Sequence, residues 1–390
     1  MVGARRLVLV DGAFASPVLM ESCAKNGIPV FAASAKAEAA ARKAGCMLVS
    51  REEASGLAKD SVVYTTAESM LPIALSGKSE RVSREVEVFH DKSLFRRALA
   101  KLPEYENFFF KELAAEELLD FRPQGNVVLK PSVGFFSFGV KPADETNFQA
   151  VAKASLAEVS RFARAYPESV LRGSKWVVEE EIKGNEFATD AFFDSEGNVR
   201  VNAVYRHPFR DENDTRDLLY YTNEKIMREQ SGPVKSLLER ICTGAKLNLK
   251  NLPVHMEYRL RNGVLYPIEV NPWRFAGMGL EDLPVLWGLN QYEEFFGIRQ
   301  ECKPALKEGE NYAFILCRNP EGMQNPENYS VDHVGYRRML ESIGVSVKQY
   351  QELDHARFGV GSMANCIAGN EKKMLGLLSY DTSPHYVRKK

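Results

Sequence analysis

The order of apolar runs predicts a multidomain chain in which an open α/β unit with a parallel sheet precedes a larger α+β region. Two observations point there. Before residue 66, short runs of strand type alternate with stretches of high helix propensity, the pattern of β-α-β units whose parallel strands need helical crossovers. From residue 126 on, apolar strands return through short turns rich in Gly, Ser and Asn, which is how antiparallel strands are joined. At 390 residues the chain exceeds one ordinary core and divides into two or three domains.

Residues 6–10 are a first buried strand, 16–26 a helix of small residues, and 28–32 a second strand. The run AKAEAAARKAG is helical by propensity, and 46–49 and 62–65 complete a sheet of about four parallel strands. The unit is Rossmann-like, but Asp11-Gly12-Ala13-Phe14-Ala15 lacks the glycine spacing that seats a dinucleotide pyrophosphate, so no NAD is assigned. Ser76-Gly77-Lys78-Ser79 ends like a P-loop, but Pro72 stands where its first glycine belongs and no strand leads into it.

A charged stretch, 78–87, separates this unit from an amphipathic helix that starts at His90-Asp91-Lys92-Ser93 and carries Leu94, Phe95, Ala98 and Leu99 on its apolar side. Residues 126–130 form a strand ending in Lys130. After it, the loop Pro131 to Val140 holds Ser132, Gly134, Ser137 and Gly139, whose backbone N–H groups suit phosphates; a plain hairpin packed by Phe135, Phe136 and Phe138 fits as well. A helix over 144–165 follows. The order of a strand, Glu179-Glu180-Glu181, Ile182, Gly184, Glu186 and another strand forces part of the acidic run to bend toward water or a ligand.

Residues 254–279, VHMEYRLRNGVLYPIEVNPWRFAGMG, read as strand, Arg-Asn-Gly turn, strand. Side chains alternate along a strand, so Glu269 and Asn271 share a face, and the hairpin brings Glu257 beside them. Hard oxygen donors suit Mg²⁺, which is usually completed by substrate phosphates. The same acids also fit solvated charges or cross-strand partners of Arg259 and Arg261. His255 falls on the same face as Glu257, where a lone strand histidine is more often structural.

Composition narrows the class. Hydrophobic residues make up 45% and charged residues 26%, with a formal net charge of −1, which gives no broad attraction to nucleic acid or anionic lipid. No apolar span reaches membrane length, and the first apolar run is too brief for a signal segment. The six cysteines lack a C-x-x-C pair, which argues against zinc and a disulfide framework and makes a reducing cytoplasm the default.

In order, Asp91-Lys92, Val128-Leu129-Lys130-Pro131-Ser132 with Gly134, Ser137 and Gly139, Val178-Glu179-Glu180 with Gly184 and Glu186, Glu257, and Glu269-Val270-Asn271-Pro272 resemble the ATP-grasp superfamily over roughly residues 2–298. The resemblance implies a pre-ATP-grasp α/β domain (1–88), a two-subdomain ATP-grasp domain (89–300, dividing near 175) and a C-terminal α+β appendage (301–390). It implies that Lys92 and Lys130 bind ATP phosphates under a loop from Ser132 through Ser137 to Gly139. Glu179 would approach the adenine amino group, the Glu180 to Ile182 backbone would meet the adenine edge, and Glu186 would accept from the ribose. Glu257, Glu269 and Asn271 would hold Mg²⁺, or Mn²⁺ in its place. The usual reaction activates a carboxylate as an acylphosphate and joins it to an amine, releasing ADP and phosphate; kinase-like and carboxylase-like members, and an ATP-binding regulator without turnover, share the nucleotide site. Members commonly carry Arg two places after the metal Asn, where this chain has Trp273, so Arg274 is the expected cation at the acylphosphate. Arg206, His207 and Arg210 are candidates for a substrate carboxylate, and Gly277 for close approach of backbone to substrate. The partners implied are a small-molecule carboxylate, with amino acids as one candidate class, and an amine, and the C-terminal part either completes the pocket or builds a homodimer interface.

Overall fold

The computed structural model describes residues 5–12, 15–134, 139–163, 171–211, 214, 216–300 and 303–389. Ser137 and the three phenylalanines of its loop lie outside them. The N-terminal unit is a parallel sheet of order β2-β1-β3, from β1 (Arg5–Val10), β2 (Val30–Ala32) and β3 (Ser61–Thr65). Helices α1 (Pro17–Asn26), α2 (Ala35–Ala44) and α3 (Arg51–Ala58) form the connections. Ser16, Ser34 and Ser50 cap these helices, each side chain accepting from a backbone N–H three residues on. The expected fourth strand is reduced to one bridge, Val30 with Leu48. Its other side chains lie at the sheet edge, where Met47 is exposed. Lys78, of the P-loop-like run, donates to the carbonyls of Lys59 and Ser61, tying the run to the connection between α3 and β3.

Helices α4 (Leu71–Ala74), α5 (Glu80–His90) and α6 (Lys92–Leu99) lead into a small antiparallel sheet of order β4-β7-β5-β6. Its strands are β4 (Phe110–Ala114), β5 (Val127–Pro131), β6 (Lys141–Ala143) and β7 (Lys175–Glu180), with α7 (Phe148–Ala163) packed on it around Trp176, Leu129 and Val178.

The large sheet is antiparallel and eight-stranded, of order β12-β11-β8-β9-β10-β13-β16-β15. It comprises β8 (Asn185–Phe193), β9 (Val199–His207), β10 (Leu219–Thr222), β11 (Leu252–Arg261) and β12 (Val264–Pro272), then β13 (Asn311–Arg318), β14 (Tyr329–Val331) outside it, β15 (Val345–Glu352) and β16 (Val360–Ala368). Three strands of residues 301–390, β13, β15 and β16, therefore continue the same sheet that carries the hairpin. Helix α8 (Glu224–Ala245) buries Val234, Leu237, Leu238 and Ile241 against one face. The other face is polar near β8, β11 and β12 and forms the floor of the site. No helix among the described residues is long and apolar enough to cross a membrane.

Candidate active site

The hairpin forms as the alternation requires. In the β11–β12 register Glu257 lies opposite Glu269 and His255 opposite Asn271, so four polar side chains occupy the corners of a square on one face. A bulge follows Glu257, where the register skips Ile268, and β12 is an edge strand, which is why Pro267 is tolerated in it. The bulge turns two carbonyls outward: Arg96 Nη1 donates to Pro267 O at 2.7 Å and Lys130 Nζ to Ile268 O at 3.1 Å.

Those donors come from the wall above. Lys130 on β5 and Glu179 on β7 share a face of the small sheet, since Lys130 pairs with Val177 and Val128 with Glu179. Glu179, 3% exposed, takes Arg96 through both oxygens, Nε at 2.6 Å and Nη2 at 2.8 Å, and Lys130 Nζ at 2.7 Å. The carboxylate expected to approach adenine is thus the centre of a buried ionic junction tying α6, both strands and the hairpin together. Burial pulls the Glu179 carboxyl up, but Arg96 and Lys130 outweigh it and hold it below the usual range. Burial brings Lys130 down to about 8, with Arg96 and Lys92 adding to it against Glu179. Arg96 was missed from sequence because its helix looked amphipathic with only apolar residues inward; its position between Phe95 and Arg97 gave no signal.

Lys92, at the start of α6, is positioned by its own N–H donating to Ser132 O at 2.7 Å. Its ammonium reaches Glu269 Oε2 at 2.9 Å and Gly134 O at 3.2 Å. Burial lowers its pKa, yet Glu269, Glu68 and Glu257 outweigh that and raise it above the ordinary lysine value. Ser132 Oγ is buried without a partner among the described residues. Gly139 turns with φ +72° against Val159 and Trp176.

The two hairpin acids differ. Burial and the facing Glu269 push Glu257 above the usual carboxylate range, with His255 opposing. Against burial, Lys92, Asn271 and Lys130 hold Glu269 down at about 2, and Asn271 Nδ2 donates to its Oε1 at 3.0 Å. Arg259 and Arg261 do not neutralise these acids. Arg259 bonds Glu186 Oε2 at 2.9 Å and Ile182 O at 2.7 Å, and Arg261 bonds Glu180 at 2.8 Å, so both brace the crossover after β7. Gly184 there has φ +143°, and a Cβ would meet Leu260 O at 2.3 Å, so only glycine lets the crossover approach β11 this closely. Among the described residues no three His, Cys, Asp or Glu side chains already converge on one point for an ion. Glu257, Glu269 and Asn271 nevertheless offer three hard oxygens on one face, the donor chemistry Mg²⁺ takes.

A second network lies behind the hairpin. His255 Nδ1 bonds Asp190 Oδ1 at 2.8 Å, and its Nε2 faces Glu257 Oε1 at 3.7 Å. Asp190 is fully buried and also accepts from Ala276 N at 2.8 Å and Gln291 Nε2 at 3.1 Å, joining the metal face to the loop that carries Gly277. Burial lowers the His255 imidazole, but Asp190 and Glu257 outweigh it and bring it up to about 9. Asp190 was not singled out from sequence because ATDAFF reads as an ordinary buried strand.

Of the three substrate candidates on or after β9, only His207 reaches the polar face, its Nδ1 2.8 Å from Glu186 Oε1 and its ring stacked on Tyr220. Arg206 alternates to the other face and bonds Tyr221 OH at 3.3 Å and Asn185 Oδ1 at 3.2 Å. Arg210 pairs with Asp211 and Glu321 at the surface. Gly277 has open space where a Cβ would stand, so packing does not demand glycine there.

Trp273 explains its own departure. Its backbone turns with φ +68°, donates to Pro253 O at 2.7 Å and accepts from Thr65 N at 2.9 Å, sending the indole into the central core. Arg274 is thereby carried to the site side, 3.3 Å from Glu68 of the N-terminal unit. Burial lowers its pKa, and Glu68 and Glu269 more than restore it. Ser16, Gly279, Glu281, Asp282, Gln351 and Met363 line a small cleft of about 20 Å³ where the N-terminal unit, the 277–282 loop and the C-terminal strands meet.

Residues 124–282 match the family model of the ATP-grasp domain. No curated protein sequence matches the chain. Among solved structures, an L-amino acid ligase from Bacillus licheniformis is similar at TM-score 0.68 and 15% identity, over 99% of this chain and 98% of that one. An N5-carboxyaminoimidazole ribonucleotide synthetase from Thermotoga maritima is similar at 0.63 and 13% identity, over 99% and 100%. The biotin carboxylase domain of a Hydrogenobacter thermophilus 2-oxoglutarate carboxylase, solved with MgADP, ADP and bicarbonate, is similar at 0.60 and 12% identity, over 94% and 87%. At these identities the likeness is one of fold.

Proposed function

The chain contains an ATP-grasp domain, and from that premise we propose that it is an ATP-dependent ligase that activates a small-molecule carboxylate as an acylphosphate and joins it to an amine. The observation that carries this reading is the pairing of Lys92 with Glu269 at 2.9 Å, which sets a phosphate-binding cation directly on the candidate metal face. Lys92 and Lys130 attract and orient the ATP phosphates, and Lys130 is kept pointing at the hairpin by Ile268 O. The crossover from Glu180 to Ile182, braced by Arg259 and Arg261 and allowed by Gly184, would meet the adenine edge, and Glu186, held by His207 and Arg259, would accept from the ribose. Glu257, Glu269 and Asn271 would hold Mg²⁺, or Mn²⁺, which neutralises charge on the phosphates during transfer. Arg274, anchored on Glu68, faces the developing acylphosphate oxygens. The nucleophilic oxygen of the carboxylate bonds to the γ-phosphorus as the bond to ADP breaks; the amine nitrogen then bonds to the acyl carbon, and phosphate leaves with the proton count balanced by loss from the amine.

Ser16, Gly279, Glu281, Asp282, Gln351 and Met363 bring the N-terminal unit, the 277–282 loop and the C-terminal strands together beyond Arg274, which supports a role for the C-terminal part as a wall of the substrate pocket. Amino acids are the substrate class to try first, because a ligase of amino acids shares this fold over nearly the whole chain. The test is ADP release from ATP and Mg²⁺ across a panel of amino acids and short carboxylates, each with and without an amine. Turnover that needs both supports ligation; phosphorylation of a substrate without an amine makes the chain kinase-like, and nucleotide binding without turnover on any substrate makes it a regulator.

A further inference from the structure

We propose that His255 is a fourth, nitrogen donor to the divalent cation, so that this chain builds a mixed nitrogen and oxygen metal site. The inference rests on the nucleotide reading above and adds to its donor set. Three corners of the square on the hairpin face are Glu257, Glu269 and Asn271, and the register puts His255 at the fourth, opposite Asn271. The ring is fixed from behind. Nδ1 is tied to Asp190, a carboxylate with no exposed surface that Ala276 N and Gln291 also hold in place. This is the carboxylate–histidine arrangement that fixes the tautomer of metal-bound imidazoles and leaves Nε2 for the metal. Nε2 faces Glu257 Oε1 at 3.7 Å, too long for a hydrogen bond and short enough for both atoms to bind one ion. On binding, the ion replaces whatever proton Nε2 carries, and that proton goes to solvent.

An imidazole donor shifts preference from Mg²⁺ toward Mn²⁺ relative to an all-oxygen site. The test is pulsed electron paramagnetic resonance on the full-length protein with Mn²⁺ and ADP, comparing natural-abundance protein with protein labelled with ¹⁵N-histidine. Nitrogen modulation that changes with the label, and is absent in H255Q, supports the proposal. The labelled wild type decides the point even if H255Q fails to fold. Bound Mn²⁺ without histidine modulation overturns it while leaving the nucleotide reading intact. No Mn²⁺ bound in the presence of ADP overturns both.

Discussion

Glu179 provides the sharpest perturbation, because the resemblance gives it adenine and the structure gives it Arg96 and Lys130. Replacing it by Gln keeps shape and one acceptor but leaves two cations, each 2% exposed, without their buried anion. Removing one partner of a buried ion pair costs ~3–5 kcal/mol. With the amide carbonyl retained, the lower end applies, about 3 kcal/mol. At ~2–4 °C per kcal/mol for domains of this size, the variant melts about 6–12 °C lower than wild type. The assay is thermal unfolding of ligand-free protein by fluorescence and circular dichroism, beside ADP and GDP affinities by calorimetry. Unchanged melting together with lost discrimination between adenine and guanine nucleotides would refute the junction and restore the adenine role.

Lys130 gives a pH dependence with a definite sign. Its folded pKa is held down at about 8, below the ordinary lysine value, so the ammonium that a phosphate needs is present in free protein below pH 8 and lost above it. ADP affinity should stay level to about pH 8 and weaken beyond; a flat profile to pH 9.5 contradicts this. Since the unfolded chain binds the extra proton over that interval, ligand-free stability from this group rises as pH climbs from about 8 toward the unfolded value. E269Q should cut ATP turnover by on the order of a hundredfold or more. It should also cost about 1–2 kcal/mol in stability by freeing Lys92, read by denaturant titration; undiminished turnover rejects the metal assignment. G184A places a Cβ against Leu260 O, so the crossover must shift; the expected result is ADP binding at least about tenfold weaker, and calorimetry matching wild type would show that the crossover does not position the nucleotide. R274M should retain ADP binding while losing the carboxylate-dependent step, measured as ADP release; full activity would move the acylphosphate cation elsewhere.

The parts of this site that lie along one strand or one turn were legible in the sequence. Alternation put Glu269 and Asn271 on one face and the hairpin turn brought Glu257 beside them, and the register agrees. What could not be read was pairing between distant elements. Arg96 and Glu179 are 83 residues apart, and His255 and Asp190 are 65 apart, with nothing local to announce either contact. The bulge at Ile268 and the left-handed turn at Trp273 are equally hidden, because each is set by what the backbone meets across the fold. The same holds for the C-terminal strands: their continuation of the hairpin's sheet follows from β10 pairing with β13, a choice no periodicity encodes. Arg206 and His207 show the converse. Adjacent residues on a strand face opposite ways, and only the partner strands decide which of the two meets the site.

The central claim is transfer of the γ-phosphoryl group to a carboxylate oxygen before the amine attacks. A carboxylate substrate labelled with ¹⁸O, incubated with ATP, Mg²⁺, the amine and the protein, reports on this directly by mass spectrometry of the phosphate released. One ¹⁸O in each phosphate formed is the result predicted. Phosphate free of label, with ADP and coupled product accumulating, would contradict it.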